Sequence, residues 1–113
     1  IAHNVKIGMH AVIAAQVGIA GSTVIGNNVK IGKDAVIAAQ VGIAGSTVIG
    51  NNIKIGGQAG ISGHLLIGDN VTIAAKSGVT KNLISNQVVA GFPAIDIKKW
   101  KKNIIKLNKT NDN

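Results

Sequence analysis

The sequence predicts an all-β fold, a left-handed parallel β-helix of hexapeptide repeats that ends in a capping α-helix. An aliphatic residue leads each of fourteen consecutive hexads from Ile1 to Val79, and thirteen of these residues are Ile. The residue that follows is always Gly, Ala, Ser or Thr. Aromatic residues make up only 2% of a chain that is 46% hydrophobic, so a regular lattice of aliphatic side chains has to fill the core.

A triangular coil explains this period, because three hexads with one short strand each make one complete turn. The leading Ile then points inward and stacks on the leading residue one turn later, about 4.7–4.9 Å along the axis. β-branched Ile and Val suit a buried, pleated strand, and each buried Ile contributes roughly 1.5–3 kcal/mol. The small second residue leaves room for the chain to bend. Left-handedness is what known hexapeptide-repeat folds adopt, against the usual right-handed crossover.

An internal duplication lies on top of the hexads. Residues 5–28 and 29–52 match at 22 of 24 positions. Exposed positions of natural solenoid coils usually drift, so this identity indicates a recent duplication or deliberate engineering, and we favour engineering. One copy equals four hexads, which is one coil plus one hexad. If every coil keeps its length, the copy turns everything upstream by one face of the triangle, with Ile7, Ile25 and Ile43 in one buried column.

The repeat pattern divides the chain into four segments. Residues 1–84 form the β-helix, about 4.7 coils of three hexads each. Residues 85–95 form a final partial turn and an exit loop, since a glycine and a proline interrupt regular structure there. Residues 96–109 form the capping helix, which Asp96 can cap, and residues 110–113 form a tail.

The C-terminal segment predicts an amphipathic, basic helix. Ile97, Trp100, Ile104 and Leu107 follow helical spacing and form one apolar stripe, which we expect to fold over the open end of the solenoid. Six of the twelve lysines lie in residues 98–109, and the net charge is +8. Such a cluster indicates a nucleic acid, a membrane surface or an acidic protein as partner. Because exposed aromatic residues are not interleaved with the lysines, we do not expect nucleic acid.

Composition excludes several other classes. The chain has no cysteine, so disulfides and thiolate metal sites are ruled out, which fits a reducing compartment. No apolar run reaches the roughly 18–20 residues that span a bilayer, and no signal peptide is visible. We therefore expect no membrane span and a cytoplasmic location. Because the sequence begins with Ile1, we expect a fragment or a processed form of a longer protein.

Three stretches carry a family resemblance, namely IAHNVKIG, GQAGISGHLLIGDNVTIAAKSGV and VVAGFPAIDIKKWKK. Together they resemble the UDP-3-O-(3-hydroxyacyl)glucosamine N-acyltransferases of lipid A biosynthesis. The resemblance implies a homotrimer with active sites between neighbouring solenoids, which transfers a 3-hydroxyacyl group from acyl carrier protein to a glucosamine amine. We expect no cofactor and no metal. In that family a uridine-binding domain precedes the solenoid, and this sequence does not include it. The lysines suited to acidic acyl carrier protein are Lys98, Lys99, Lys101, Lys102 and Lys106.

Two histidines match the active-site positions of that family. The resemblance makes His3 of IAHN the general base and His64 of SGH a second active-site histidine. The chemistry is consistent, because an amine loses a proton as it attacks a thioester, and imidazole titrates near neutral pH. Backbone N–H groups at glycine-rich corners are candidates for holding the oxyanion.

The duplication separates these two histidines. Ten hexads plus one residue lie between their positions, and removing one copy would leave six hexads plus one residue, which is two coils plus one residue on the same edge. With the copy present, a constant coil length predicts that they lie on different corners, with Asn27 in the place of the base. We therefore expect a chain that folds but does not catalyse. His10 is then three coils from His64 on one edge, too far for a shared metal ion.

Two further functions remain open. The chain is either a catalytic region that retains acyl transfer or a binding module that keeps only affinity for acyl carrier protein. The oligomeric state is open as well, because turning part of the solenoid by one face would misalign a trimer interface and favour a monomer or an altered trimer.

Overall fold

The computed structural model describes residues 5–37 and 47–111, with side chains as far as Leu107. These residues form fourteen short β-strands and one α-helix. The strands are β1 (Lys6–Ile7), β2 (Val12–Ile13), β3 (Gly18–Ile19), β4 (Val24–Ile25), β5 (Lys30–Ile31), β6 (Val36–Ile37), β7 (Val48–Ile49), β8 (Lys54–Ile55), β9 (Gly60–Ile61), β10 (Leu66–Ile67), β11 (Thr72–Ile73), β12 (Gly78–Val79), β13 (Val88–Ala90) and β14 (Ile95–Asp96), and the helix is α1 (Ile97–Asn111).

Three parallel sheets form the three faces of a solenoid. The first sheet has the order β1-β4-β7-β10, and the third has the order β3-β6-β9-β12. The second sheet has the order β2-β5-β8-β11-β13, and β14 is added to it in antiparallel orientation. Consecutive strands from β1 to β12 lie on different faces, so the chain visits all three before it returns to the first. The predicted parallel β-helix with a C-terminal helix is confirmed.

The core is the aliphatic lattice that the period predicts. The leading Ile of each inner coil is buried, as Ile25 and Ile37 show at 2% and 1% exposure. Residues at the fifth hexad position fill the space between them, and Val29 and Val71 are fully buried. Ile7 is 39% exposed because, among the described residues, β1 has a neighbouring strand on one side only. Stacking of one coil on the next therefore supplies most of the burial.

The corners between strands use a left-handed backbone conformation. From His10 to Lys76, φ lies between +57° and +64° at the described non-glycine residues of the fourth hexad position. This conformation is uncommon outside glycine, and Asn, Asp and His adopt it more readily than most residues. Neighbouring corners are hydrogen-bonded through the backbone, as where Asn28 N donates to Met9 O at 2.9 Å. The residues concerned are His10, Gln16, Ser22, Asn28, Asp34, Asn52, Gln58, His64, Asn70 and Lys76.

The corners that follow the first sheet carry a ladder of side-chain oxygens, here called the corner ladder. Asn27 Oδ1 accepts from Met9 N, Asn51 Oδ1 accepts from Asn27 N, and Asp69 Oδ1 accepts from Asn51 N, each at 2.8 Å. Ser85 Oγ continues the ladder by accepting from Asp69 N at 2.9 Å. Each oxygen lies above the second residue of the preceding coil's hexad, which is always glycine here: Gly8, Gly26, Gly50 and Gly68.

The strand register differs from the predicted one at the step from β4–β6 to β7–β9, here called the junction. Elsewhere in the β-helix from β1 to β12, pairing joins strands three hexads apart, as in Lys6 with Val24. Across the junction it joins strands four hexads apart, as in Ile25 with Ile49. On the first two faces, repeated hexads therefore stack on one another. The prediction that the copy turns the upstream coils by one face is wrong.

The corner ladder gives the physical reason. In the observed register Gly26 and Asn27 lie against Gly50 and Asn51, so the amide oxygen of Asn51 reaches the Asn27 N–H. A constant offset of three hexads would bring the Ala-Gly pair at 44–45 to that corner instead. This pair has no glycine at the second hexad position and no side-chain amide at the third, so it could not continue the ladder.

The predicted column of Ile7, Ile25 and Ile43 is likewise wrong. Ile25 pairs with Ile7 on one side and with Ile49 on the other. Ile43 itself lies outside the described residues.

The C-terminal helix is attached to the last coil by its first turn. Asp96 Oδ1 accepts from Lys98 N at 3.0 Å, which is an N-cap. Ile97 and Trp100 are half-buried, and a Cβ at Gly91 would lie 2.8 Å from the Trp100 ring. Ile104 and Leu107 are 38% and 58% exposed, so the predicted cover holds for the first turn only.

The exit loop closes the rest of the solenoid end. Val89, Ala90 and Ala94 are buried at 0%, 3% and 2% exposure, because β13 and β14 pair there as an antiparallel hairpin. This hairpin occupies the position that the sequence assigned to the helical stripe. Among the described residues, no helix has the length and apolarity that crossing a membrane requires.

The corner ladder predicts that glycine cannot be replaced at the second hexad position of its corners. A Cβ at Gly26 would lie 2.5 Å from both Gly50 O and Asn51 Oδ1. We expect Gly26→Ala to lower the free energy of unfolding by about 1–3 kcal/mol, measured by urea denaturation. Gly60→Ala is the matched control, because a Cβ there meets nothing among the described residues within 4 Å. Equal losses in the two variants would contradict the role of the ladder.

Candidate functional site

The third sheet presents a face with almost no side chains. Its outward positions are Gly18, Val36, Gly60 and Gly78. The corresponding positions of the first and second sheets carry lysine, valine, leucine or threonine on the same coils. A shallow cavity of about 170 Å³ lies on this face, with Gly60 and Gly78 in its floor. We call it the glycine groove. Gly60 is partly exposed in it and Gly78 is buried, so it can accept a linear, apolar group against the backbone of β9.

Phe92 of the exit loop forms one end of the glycine groove. A Cβ at Gly78 would overlap the Phe92 ring, so glycine is required there for the loop to lie on the sheet. Gly78 N donates to Gly91 O at 2.9 Å, and Ala94 N donates to Gly78 O at 2.7 Å. These two bonds fix the GFPA stretch against β12.

His64 lies at the corner that borders the glycine groove. It follows β9 and Ser62, which lines the cavity, and its φ is +64°. Its side chain is exposed, and among the described residues the imidazole is not part of the cavity lining. The left-handed conformation that His64 adopts is common to the corners, so the backbone alone does not distinguish it as a catalytic residue.

The other predicted site residue, His3, lies outside the described residues, and its role as a base remains a prediction. The described part of the chain does show what stands two coils and one residue before His64. In the third sheet, β9 pairs with β6, which lies four hexads earlier in sequence, and β6 pairs with β3, which lies three hexads earlier still. Seven hexads and one residue before His64 is Gly21, which therefore occupies that place. The prediction that Asn27 takes this place is wrong, because Asn27 lies on the corner after the first sheet.

Gly21 offers no proton acceptor in its side chain. The described corner two coils before His64 therefore lacks a general base, at an axial distance of about 10 Å. Across the described junction the copy lengthens one coil by a hexad and does not rotate the upstream faces.

His10 was also predicted to share an edge with His64, and this prediction is wrong. Backbone hydrogen bonds place His10 in the column of Asn28, Asn52 and Asn70, after the first sheet, whereas His64 follows the third. Over residues 5–37 and 47–111, no three His, Asp or Glu side chains come together as they would to hold a metal ion.

A second surface feature escaped the sequence analysis. Lys30 and Lys54 are neighbours on the exposed face of the second sheet, beside Thr72, in a shallow hollow of about 420 Å³. Like charges directly opposite on neighbouring strands destabilise a sheet. The sequence does contain the signal, because the hexads IGNNVK and IGNNIK recur four hexads apart, but a constant offset of three hexads pairs Lys30 with Val48.

The lysines predicted to meet a partner are exposed on α1. Lys98, Lys99, Lys101 and Lys102 lie in its first two turns, and Lys106 follows one turn later. Asp96 caps the same helix, and no acidic residue lies in its first turn. The structure places this basic surface at the opposite end of the solenoid from β1.

The position of His64 predicts which replacements the corner accepts. We expect His64→Asn to leave the free energy of unfolding unchanged within about 0.5 kcal/mol, since Asn adopts the left-handed region readily. His64→Val should lower it by about 1–2 kcal/mol, because a β-branched side chain crowds the backbone there. Thermal or urea unfolding of both variants measures this. Equal losses in both would mean that the imidazole makes a stabilising contact of its own.

Comparisons with known proteins agree with this architecture. Residues 46–81 match the family described as bacterial transferase hexapeptide (six repeats). A stretch of 26 residues is 77% identical to the UDP-3-O-acylglucosamine N-acyltransferase of Bordetella avium, and it covers 23% of this chain and 7% of that protein.

Solved structures share the solenoid. A serine acetyltransferase of Brucella abortus in complex with coenzyme A aligns with a TM-score of 0.79 and 28% identity, over 83% of this chain and 39% of that chain. A hexapeptide-repeat acetyltransferase of Vibrio cholerae aligns with a TM-score of 0.75 and 26% identity, over 83% and 61%. This chain thus spans less than two thirds of each relative. Its solenoid is similar to those of hexapeptide-repeat acetyltransferases, and the solenoid is the part that it shares with them.

Proposed function

We propose that the chain is an engineered, repeat-extended β-solenoid of the lipid A N-acyltransferase family that has no acyl-transfer activity of its own. The stacking of repeated hexads at the junction is the observation that carries this proposal. Val24 lies on Val48 and Lys30 lies on Lys54, so on two faces the surface of one coil repeats that of its neighbour. A lysine directly opposite a lysine destabilises the sheet, and the usual divergence of surface residues would remove such a pair.

The chemistry of acyl transfer supports the absence of activity. An amine that attacks a thioester has to pass its proton to a base within hydrogen-bond reach, about 2.6–3.2 Å or one water away. At the spacing that the family resemblance implies, the partner of His64 is two coils away, and Gly21 stands there in this chain.

A second candidate is the catalytic region of a UDP-3-O-(3-hydroxyacyl)glucosamine N-acyltransferase that transfers an acyl group from acyl carrier protein to an amino sugar. The 77% identity over 26 residues with such an enzyme favours it. The glycine groove has the shape for a linear acyl or pantetheine arm, and the exposed lysines of α1 suit an acidic carrier protein. A homotrimer would complete the groove with a neighbouring solenoid.

An acyl-transfer assay separates the two candidates. The purified chain is given a 3-hydroxyacyl thioester of acyl carrier protein and a UDP-glucosamine acceptor, and thiol release is followed against a blank without the chain. We expect no turnover above the blank. Turnover that His3→Ala or His64→Ala abolishes would refute the proposal.

Deletion of residues 29–52 provides the matched control. This variant removes one copy and restores the separation of His3 and His64 to six hexads plus one residue. Turnover in the deletion variant alone would support the added coil as the cause of inactivity. Light scattering on both proteins would show whether the copy also changes the assembly.

A further inference from the structure

Helix α1 has two chemically opposite faces. Trp100, Ile104 and Leu107 are spaced by four and three residues, so they lie along one side of the helix. Lys98 and Lys102 are spaced by four residues and lie on the other side. This is the arrangement of helices that lie in the plane of a membrane interface, with a lysine-rich polar face and Trp, Leu or Ile opposite.

Beyond the first turn, the apolar side of α1 is left uncovered by the solenoid. Ile104 and Leu107 are 38% and 58% exposed, whereas the exposed Ile105 lies on the lysine side, one turn from Lys101 and Lys102. Phe92 is 80% exposed and lines, together with Trp100, a hollow of about 350 Å³ beside the helix. Two aromatic side chains therefore lie beside two exposed aliphatic ones, at the end of the molecule where the chain leaves the solenoid.

The charge on α1 is of one sign. Five lysines are exposed between Lys98 and Lys106, and no Asp or Glu occurs from Ile97 to Asn111. The nearest acidic residue, Asp96, is engaged as the N-cap of the helix. An occupant of this surface therefore has to offer negative charge and an apolar phase side by side.

A second copy of the chain meets neither requirement through this helix. Two copies of α1 would bring lysines against lysines, and two partly exposed aliphatic side chains fall well short of the roughly 800 Å² per partner of a stable interface. An acidic protein would pair with the lysines, but it would not account for the exposed aliphatic side chains. An anionic bilayer surface offers both, with phosphate headgroups directly above an acyl boundary.

We propose that α1 docks the solenoid onto anionic lipid, lying in the plane of the bilayer surface. Trp100, Ile104, Leu107 and the neighbouring Phe92 enter the acyl boundary, and the lysines remain among the headgroups. The helix is about 22 Å long at 1.5 Å per residue, and its lysines keep it from crossing the bilayer. Docking is reversible, because a single short helix binds by a limited apolar area and by screened charge.

Trp100 supplies a direct test, because it is the single tryptophan of the chain. The full chain is mixed with vesicles of one-third phosphatidylglycerol and two-thirds phosphatidylcholine, and with vesicles of phosphatidylcholine alone. We expect co-flotation with the anionic vesicles only, a blue shift of the Trp100 fluorescence, and protection of Trp100 from acrylamide. Raising the salt concentration should reduce binding.

Two pairs of variants assign the contact. Ile104→Ser/Leu107→Ser should weaken vesicle binding at least tenfold, whereas Val24→Ser/Leu66→Ser should not, although these solenoid side chains are equally exposed, at 37% and 58%. Lys101→Glu/Lys102→Glu should also weaken it at least tenfold. Lys30→Glu/Lys54→Glu is its control, because it changes the net charge equally on the second sheet.

Three results would overturn the proposal. The first is an absence of binding to anionic vesicles. The second is binding without a change in Trp100 fluorescence, or with equal loss in the control variants, since charge alone would then account for it. The third is burial of Trp100 by acyl carrier protein but not by vesicles, which would assign the helix to a protein partner.

Discussion

The hydrogen bond from a corner N–H to a side-chain oxygen of the next coil is the contact on which the order of this solenoid depends. Inside the triangle one hexad is as good as another, because each contributes an aliphatic leading residue to the same lattice. At the corners after the first sheet this equivalence ends. There the oxygen of Asn51 reaches Asn27 N over Gly26, and the fit requires both an amide and a glycine. The corners therefore decide which coil face lies on which.

Much of the fold is predictable from the sequence, because the hexad period states directly which residues are buried. The strand positions, the triangular coil and the helix after Asp96 follow from periodicity and from a cap. The register at the junction does not follow from the period, since an offset of three or of four hexads stacks Ile on Ile equally well. The repeated Gly-Asn-Asn corners at 26–28 and 50–52 determine the register there, because their polar side chains at the surface pair only when the two corners are stacked.

The candidate site was less predictable than the core for the same reason. Which corner faces His64 depends on the register, so an incorrect offset placed Asn27 where Gly21 belongs. The exposed stripe of α1 was missed because a helical pattern shows which side is apolar but not what covers it. Here a hairpin of the exit loop covers the last coil, and Ile104 and Leu107 remain at the surface. The family resemblance indicates which reaction to expect. The strand register determines whether the residues for that reaction come together in this chain.

Disulfide formation between introduced cysteines tests the register most directly, because the chain contains no cysteine of its own. In Lys30→Cys/Lys54→Cys the two positions are directly paired on neighbouring strands, at a Cα separation of about 4.8 Å that a disulfide can span. In Lys30→Cys/Val48→Cys the positions are three hexads apart in sequence and lie on different sheets. The corner ladder predicts rapid cross-linking in the first variant and none in the second. Cross-linking in the second variant and not in the first would show a constant coil of three hexads and contradict it.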